Sequence, residues 1–246
     1  MRAENSFIAV EGVGEVTERK LWDAGVTHWE EFDGSVVGPT LADRIAAFVA
    51  DATERLERGD ARYFGEQFPD SEHWRLYENF RERACFFDIE TTGLDRHANR
   101  VTTVSAHQGG ETTTLVRGRD LTREALADLL DAPLLVTFNG RKFDAPFLAE
   151  SFGVELDAPH VDLMYPCRRL GLTGGLKPVE RELGIEREDD VDGREAVELW
   201  YRYEDGDRDA LDRLVRYNRR DAENLRTVME VVAHRLHRET LGAADG

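Results

Sequence analysis

The stretch ACFFDIETTGL, residues 84–94, constrains the fold strongly because it sets two carboxylates in an otherwise apolar run. The run predicts a buried strand, and side chains two apart on a strand project from the same face. Asp88 and Glu90 would therefore lie side by side. Burying two ionised carboxylates together is costly, since each loses its hydration and repels the other. Either this strand end is open to solvent, or cations meet it there.

The length of 246 residues allows one sizeable domain and a small accessory unit. No run approaches the roughly 18 apolar residues of a membrane span, and the N-terminus lacks an apolar signal core. A cytoplasmic protein with no membrane partner is therefore expected. Cys85 and Cys167 lie far apart and form no CxxC pair, which predicts core thiols and no zinc site or disulfide.

The chain carries 50 acidic and 32 basic residues, of which only three are lysines, for a net charge of −18. Such a charge repels nucleic acid in dilute buffer. The repulsion nearly vanishes in strong salt, where the Debye length falls to about 3 Å at 1 M. The acid-rich, lysine-poor composition resembles that of proteins from salt-accumulating halophilic archaea. Charge alone therefore neither supports nor excludes a nucleic-acid substrate.

The chain divides into three predicted parts. Residues 1–60 show apolar positions at helical spacing in EVTERKLWDAG and TLADRIAAFVADATERLERG, with Gly25 and Gly59 as helix ends. Residues 61–82 are predicted to be a linker, polar in composition but with several aromatic residues. Residues 83–240 are predicted to form the main domain.

The main domain alternates short strands with helices. The strands are expected at ACFFDIE, RVTTVSAHQ, TTTLV, LLVTFN and HVDLM, and a long last helix at residues 207–236. This order predicts an α/β fold of three layers around a mixed five-stranded sheet, with the small helical unit at its N-terminus.

A second polar stretch, FNGRKFDAPFL, places Asp144 at the start of a helix. Asp is a favoured N-cap and Pro146 suits a first helical turn, so capping alone could account for both residues. Asn139 and Gly140 extend the polar stretch further than a cap requires. Phe143 offers an aromatic face on which a nucleic-acid base could stack.

A third stretch, YNRRDAENL, holds Tyr217 and Asp221 four residues apart, on one face of a helix. Leu214 and Leu225 share that face, so it points inward. A buried Tyr with a buried Asp is often only a hydrogen-bonded core pair. The combination with the other two stretches is therefore the informative feature.

Together, FDIETTG, NGRKFDAPFL and YNRRD resemble the three exonuclease motifs of the DEDD superfamily, which has a ribonuclease H-like fold. The second is similar to the motif of family B DNA polymerase proofreading domains. Over residues 87–221, more than half of its length, the chain resembles stand-alone YprB-like exonucleases. The tyrosine subclass is favoured because a tyrosine lies four residues before the last acid, where the other subclass has a histidine five residues before it. The resemblance implies that the catalytic residues are Asp88, Glu90, Asp144, Tyr217 and Asp221.

Four converging acids could not all stay ionised without cations, and two divalent ions about 3.5–4 Å apart would satisfy them. Oxygen ligands favour Mg²⁺ or Mn²⁺. Tyr217 would position the attacking water. The resemblance implies 3′→5′ hydrolysis of single-stranded DNA or RNA ends, with DNA repair or replication proteins as possible partners. The alternatives are a nucleic-acid-binding or adaptor module that has lost its activity, and a ribonuclease H-type endonuclease.

Other residues are predicted to contact nucleic acid. Thr91, Thr92 and Gly93 supply small groups and a turn at a strand end, where sites in α/β sheets gather. Leu94 could wedge against a terminal base or could equally be a core leucine. Asp162, in HVDLM, is expected to support the site or to be a simple turn residue.

The N-terminal segment VEGVGEVTERKLWDAG resembles a helix-hairpin-helix, with its hairpin at Gly12 and Gly14. Backbone N–H groups at the start of such a helix can hold a phosphate without reading sequence. The alternative is a glycine turn that joins two packed helices.

Overall fold

The computed structural model describes residues 1–187 and 191–242, and its centre is a five-stranded sheet of order β3-β2-β1-β4-β5. The central strand β1 runs antiparallel to β2 and parallel to β4. Strand β3 is antiparallel to β2, and β5 is parallel to β4. The predicted mixed five-stranded α/β fold is confirmed. The strands are β1 (Cys85–Thr91), β2 (Val101–Gln108), β3 (Glu111–Val116), β4 (Leu135–Thr137) and β5 (His160–Asp162).

Helices precede, separate and follow these strands. The long last helix extends a few residues beyond its predicted end, and Thr240, its last residue, is still buried. Over the described residues the α-helices are α1 (Glu15–Asp23), α2 (Pro39–Glu57), α3 (Ala61–Gln67), α4 (Tyr77–Phe80), α5 (Arg123–Leu129), α6 (Asp144–Phe152), α7 (Met164–Arg169), α8 (Leu176–Leu183), α9 (Gly193–Glu204) and α10 (Arg208–Thr240).

The two faces of β1 are covered by different helices. Phe87 and Ile89 pack in the apolar cluster that contains the buried side chains of α5 and α6. Phe86 packs in a second cluster, with the apolar side chains of α10. Because strand side chains alternate, Asp88 and Glu90 share the face of Phe86. The acids of the central strand therefore project towards α10.

The stretch predicted to be a linker, residues 61–82, is helical and packed. Phe64, Trp74 and Phe80 are almost fully buried, in the cluster that also holds Leu21 of α1 and apolar residues of α10. Aromatic burial overrides the polar composition that suggested a linker. The division of the chain into domains stays a prediction.

Both cysteines are buried free thiols, as predicted. Over the part of the chain that the structure describes, no helix is both long enough and apolar enough to span a bilayer.

Candidate functional site

The end of β1 meets the middle of α10 at a group of carboxylates. Asp88, Glu90 and Asp221 each offer a carboxylate oxygen, and these atoms lie within 4.8 Å of one another. Asp88 and Glu90 reach the group because they project from the α10 face of the strand. Asp221 reaches it because it lies one helical turn after Tyr217, on the buried side of α10. Two motifs remote in sequence therefore form one acidic site.

A cavity of about 350 Å³ opens at this site. Its wall includes all five residues predicted to be catalytic, together with two of the predicted nucleic-acid contacts and two basic side chains. These residues are Asp88, Glu90, Asp144, Tyr217 and Asp221, then Asn139 and Phe143, then Lys177 and Arg187.

Asp144 reaches the cavity as the first residue of α6, and the suggestion that it is the N-cap is wrong. Phe143 occupies the N-cap position, and no side chain caps the helix there. The turn before it is tight, because a Cβ on Gly140 would lie 2.2 Å from the Thr137 hydroxyl. Only glycine fits there, so the polar stretch before α6 has a structural reason.

Asp162 holds this turn in place. Its carboxylate accepts hydrogen bonds from the backbone N–H of Asn139 at 2.6 Å, of Arg141 at 3.3 Å and of Met164 at 3.2 Å. Asn139 adopts a left-handed φ of 65°, which is unfavourable for a non-glycine residue. The buried carboxylate of Asp162 therefore stabilises the backbone that presents Asn139 to the cavity.

Asn218 is a partner of Asp88 that was not among the predicted site residues. Its Nδ2 donates to Asp88 Oδ2 at 2.8 Å, and its Oδ1 accepts from the Thr103 hydroxyl at 3.0 Å. Asn218 is fully buried. It therefore fixes the orientation of the Asp88 side chain. The only signal in the sequence is a polar residue beside Tyr217 on the buried side of an amphipathic helix.

Two basic side chains, those of Lys177 and Arg187, also adjoin the site. Arg187 forms ion pairs with Asp221 and with Glu180 of α8. Lys177 also lies on the wall, with its Nζ 5.1 Å from the centre of the Tyr217 ring, and donates to the Val191 carbonyl. These contacts depend on how α8 packs against α10, which no local pattern reveals.

The other predicted contacts lie outside the wall of this cavity. The Thr91 hydroxyl donates to the Gly93 carbonyl at 2.7 Å, and a Cβ on Gly93 would collide with Asn99. These residues shape the turn after β1. Leu94 is 86 % exposed, so the alternative of a core leucine is wrong.

The predicted hairpin at the N-terminus lies apart from the cavity wall. Gly12 has a left-handed φ of 95° and Gly14 precedes the first residue of α1. The first turn of α1 carries Glu15 and Glu18, which counts against a phosphate at that helix start. A role for Gly12 and Gly14 in binding stays a prediction.

Burial and mutual repulsion make the acids of the site reluctant to ionise. Burial, followed by the neighbouring carboxylates, raises the pKa of Asp88 and of Glu90 well above their ordinary values. Burial raises the pKa of Asp144 to about 7. It also raises the pKa of Asp221, although Arg187 opposes that shift. Burial and the nearby acids raise the pKa of the Tyr217 phenol, which therefore stays protonated.

The donor set suits hard divalent cations. Its members are carboxylate oxygens that line one cavity, and oxygen ligands favour Mg²⁺ or Mn²⁺ over softer metals. Bound cations would relieve the repulsion that raises the pKa values of the acids.

This repulsion predicts how the stability of the metal-free protein changes with pH. The pKa of Asp144 is raised to about 7 in the folded chain, so the folded state binds more protons than the unfolded state between about pH 4 and 7. The contribution of Asp144 to stability is therefore highest in acid and falls as the pH rises through that window. The free energy of unfolding in EDTA should drop by on the order of 2 kcal/mol from pH 5 to pH 8.

Urea unfolding at the two pH values measures this drop. Asp144→Asn should reduce it, and Asp128→Asn, an exposed acid on α5, should leave it unchanged. Mn²⁺ should stabilise the wild type more at pH 8 than at pH 5. An equal drop in wild type and Asp144→Asn would contradict the assignment.

The fold and the site define the chain as an α/β protein with an acidic centre at the end of its first strand. The family model of the RNase H superfamily matches residues 85–233. The chain belongs to the RNase H superfamily. None of the curated proteins matches this sequence.

Solved structures of similar fold include nucleases. The NrnC of Brucella melitensis with bound Mg²⁺ is 22 % identical, with a TM-score of 0.51, over 69 % of this chain and 81 % of that one. The same protein bound to pGG gives a TM-score of 0.49 at 22 % identity and the same coverage. A family B DNA polymerase from the archaeon Pyrobaculum calidifontis is 21 % identical, with a TM-score of 0.48, over 63 % of this chain and 24 % of the polymerase.

Proposed function

We propose that the protein is a divalent-metal-dependent 3′→5′ exonuclease that hydrolyses single-stranded DNA or RNA ends, of the tyrosine subclass of the DEDD superfamily and similar to its YprB-like members. The observation that carries the proposal is the meeting of Asp88, Glu90, Asp144 and Asp221 with Tyr217 around one cavity. A structural core pair of Tyr and Asp would not need three more acids beside it. A binding module without chemistry would have no use for a cluster that is costly to ionise.

The four acids would hold two ions, Mg²⁺ or Mn²⁺. When bound, these ions would supply Lewis-acid stabilisation of the negative charge that develops on the phosphate. The Mg²⁺ bound by NrnC of Brucella melitensis agrees with this choice of cofactor.

The residues of the chain would orient the reactants. Tyr217 keeps its hydroxyl proton, so it can hydrogen-bond a water and aim it at phosphorus. The water oxygen would form the new bond to phosphorus as the bond to the leaving 3′ oxygen breaks in line. Asn139 and Phe143, on the cavity wall, are proposed to contact the terminal nucleotide. Outside the cavity, the nucleic acid is proposed to contact Thr91, Thr92, Gly93 and the exposed Leu94.

The test follows the degradation of a 5′-labelled single-stranded oligonucleotide. With Mn²⁺, the label should pass through a ladder of progressively shorter products, because nucleotides leave from the 3′ end. EDTA should abolish the ladder, and a circular single strand of the same sequence should stay intact. DNA and RNA should be compared in molar KCl as well as in dilute buffer, since screening removes the repulsion between nucleic acid and a chain of charge −18.

Each of the other possible outcomes indicates a different function for this protein. Cleavage of the circle would show an endonuclease. Binding of the oligonucleotide without turnover in either salt condition would show a module without activity. Recruitment by a repair or replication protein, and a halophilic origin, stay predictions.

A further inference from the structure

Arg187 lies on the wall of the acidic cavity and connects two buried acids. Its Nη2 donates to Glu180 Oε1 at 3.0 Å and also to Asp221, and its Nε donates to the other oxygen of Glu180. The Arg187 side chain is 12 % exposed, and that of Glu180 is 1 % exposed. The guanidinium is therefore held between α8 and α10, directly beside a carboxylate of the proposed metal site.

Glu180 is fixed independently of Arg187. The Nδ2 of Asn224, on α10, donates to Glu180 Oε1 at 2.9 Å in a fully buried contact. A guanidinium bound through two nitrogens to a fixed carboxylate has a defined orientation. Arg187 would therefore keep its place even after its contact with Asp221 is lost.

Three features suit Arg187 to a second partner. Cations at Asp221 would neutralise that carboxylate and weaken its attraction for the guanidinium. The Nη1 of Arg187 has no hydrogen-bond acceptor among residues 1–187 and 191–242. The planar guanidinium matches the oxygen spacing of a phosphate, and it already faces the cavity in which the scissile phosphate would lie.

We propose that Arg187 is a substrate-binding residue: it pairs with Asp221 before divalent cations bind, and donates to a phosphate oxygen of the nucleic acid once they have bound, while Glu180 holds it in place. The proposal rests on the proposed exonuclease function. It assigns two successive partners to one side chain. A change at Arg187 should therefore affect ion binding and substrate binding differently.

Arg187→Gln tests this assignment because the two kinds of binding should change in opposite directions. Removing a cation that competes for Asp221 should tighten Mn²⁺ binding, by about threefold or more, in a titration of free Mn²⁺ by electron paramagnetic resonance without nucleic acid. Removing a phosphate donor should raise KM for the labelled oligonucleotide about tenfold. An arginine with only a structural role would not tighten ion binding while weakening substrate binding.

Glu180→Gln provides the reverse test. Without the charge of Glu180, Arg187 should pair more strongly with Asp221, so Mn²⁺ binding should weaken about threefold. Arg187→Lys keeps the charge without the planar fork, so it should leave Mn²⁺ binding nearly unchanged and still raise KM. Arg181→Gln, which replaces an exposed arginine on α8, the helix that carries Glu180, should change neither quantity. Circular dichroism of each variant confirms folding before the titrations.

The results separate the two proposals. If Arg187→Gln binds Mn²⁺ no more tightly than wild type, or keeps its KM, the assignment of Arg187 is wrong while the nuclease function stands. If wild type shows no Mn²⁺-dependent degradation at all, the proposed function itself fails.

Discussion

Asp88→Asn is expected to lower the rate of oligonucleotide degradation at least about a thousandfold, which corresponds to about 4 kcal/mol of transition-state stabilisation. Asp88 lies in the central strand, with a carboxylate oxygen within 4.8 Å of oxygens from Glu90 and Asp221. The replacement has the same shape, and its carbonyl oxygen can still accept the hydrogen bond from Asn218. It removes only the negative charge on which the proposed ion binding depends.

The same replacement should not weaken the fold. Burial and the neighbouring acids raise the pKa of Asp88, so its ionised form is disfavoured in the metal-free protein. Asp88→Asn relieves that repulsion and should raise the free energy of unfolding in EDTA at pH 8, by about 1 kcal/mol. Loss of activity together with a gain in stability is typical of a functional carboxylate and not of a structural one.

Two measurements decide the matter. Initial rates with the 5′-labelled oligonucleotide and Mn²⁺ give the activity, and urea unfolding in EDTA gives the stability. Asp128→Asn should match wild type in both. Retention of a tenth or more of the wild-type rate in Asp88→Asn would contradict the proposed site, and a loss of stability would mean that Asp88 has a structural role instead.

The sequence predicted those parts of the site that local periodicity controls. The two-residue period of a strand placed Asp88 and Glu90 on one face, and the four-residue spacing of a helix did the same for Tyr217 and Asp221. Both pairs line the cavity. The order of strands and helices was sufficient to predict the mixed five-stranded sheet, and the apolar run before Asp88 predicted that β1 is buried.

The supporting contacts could not be predicted, because they depend on how elements pack in space. Asn218 meets Asp88 only because α10 crosses β1 at that height, and Arg187 meets Asp221 only because α8 packs beside α10. Asp144 was correctly placed at a helix start, but the capping role suggested for it was wrong because Phe143 takes that position. Side-chain partners remote in sequence leave no periodic signal.

The packing of residues 61–82 has the same origin, since the buried Glu72 and Arg75 pair with residues remote in sequence. Arg75 is 1 % exposed, and its guanidinium donates to Glu18 of α1 at 2.8 Å and to Glu72 at 2.5 Å. Glu72 also pairs with Arg169 of α7 at 3.4 Å. One ion network therefore connects α1, residues 72–75 and α7, the helix that follows β5.

Arg75→Met should therefore destabilise the whole chain by about 3–5 kcal/mol, because it leaves two buried carboxylates without their shared cation. Glu18 would keep only its hydrogen bonds from Ser6 and the neighbouring backbone. Urea unfolding should show one transition, shifted to lower urea, since the apolar cluster is shared along the chain. Arg19→Met, an exposed arginine on α1, should change stability by less than about 0.5 kcal/mol.

Arg75→Lys keeps the prediction testable if Arg75→Met does not fold. Lysine retains the charge but lacks the planar fork that reaches both acids, so it should cost less than methionine and more than the Arg19→Met control. A change below about 1 kcal/mol in Arg75→Met would show that the network contributes little. Two separate transitions would show that the N-terminal helices unfold independently of the sheet, as the division into an accessory unit and a main domain predicts.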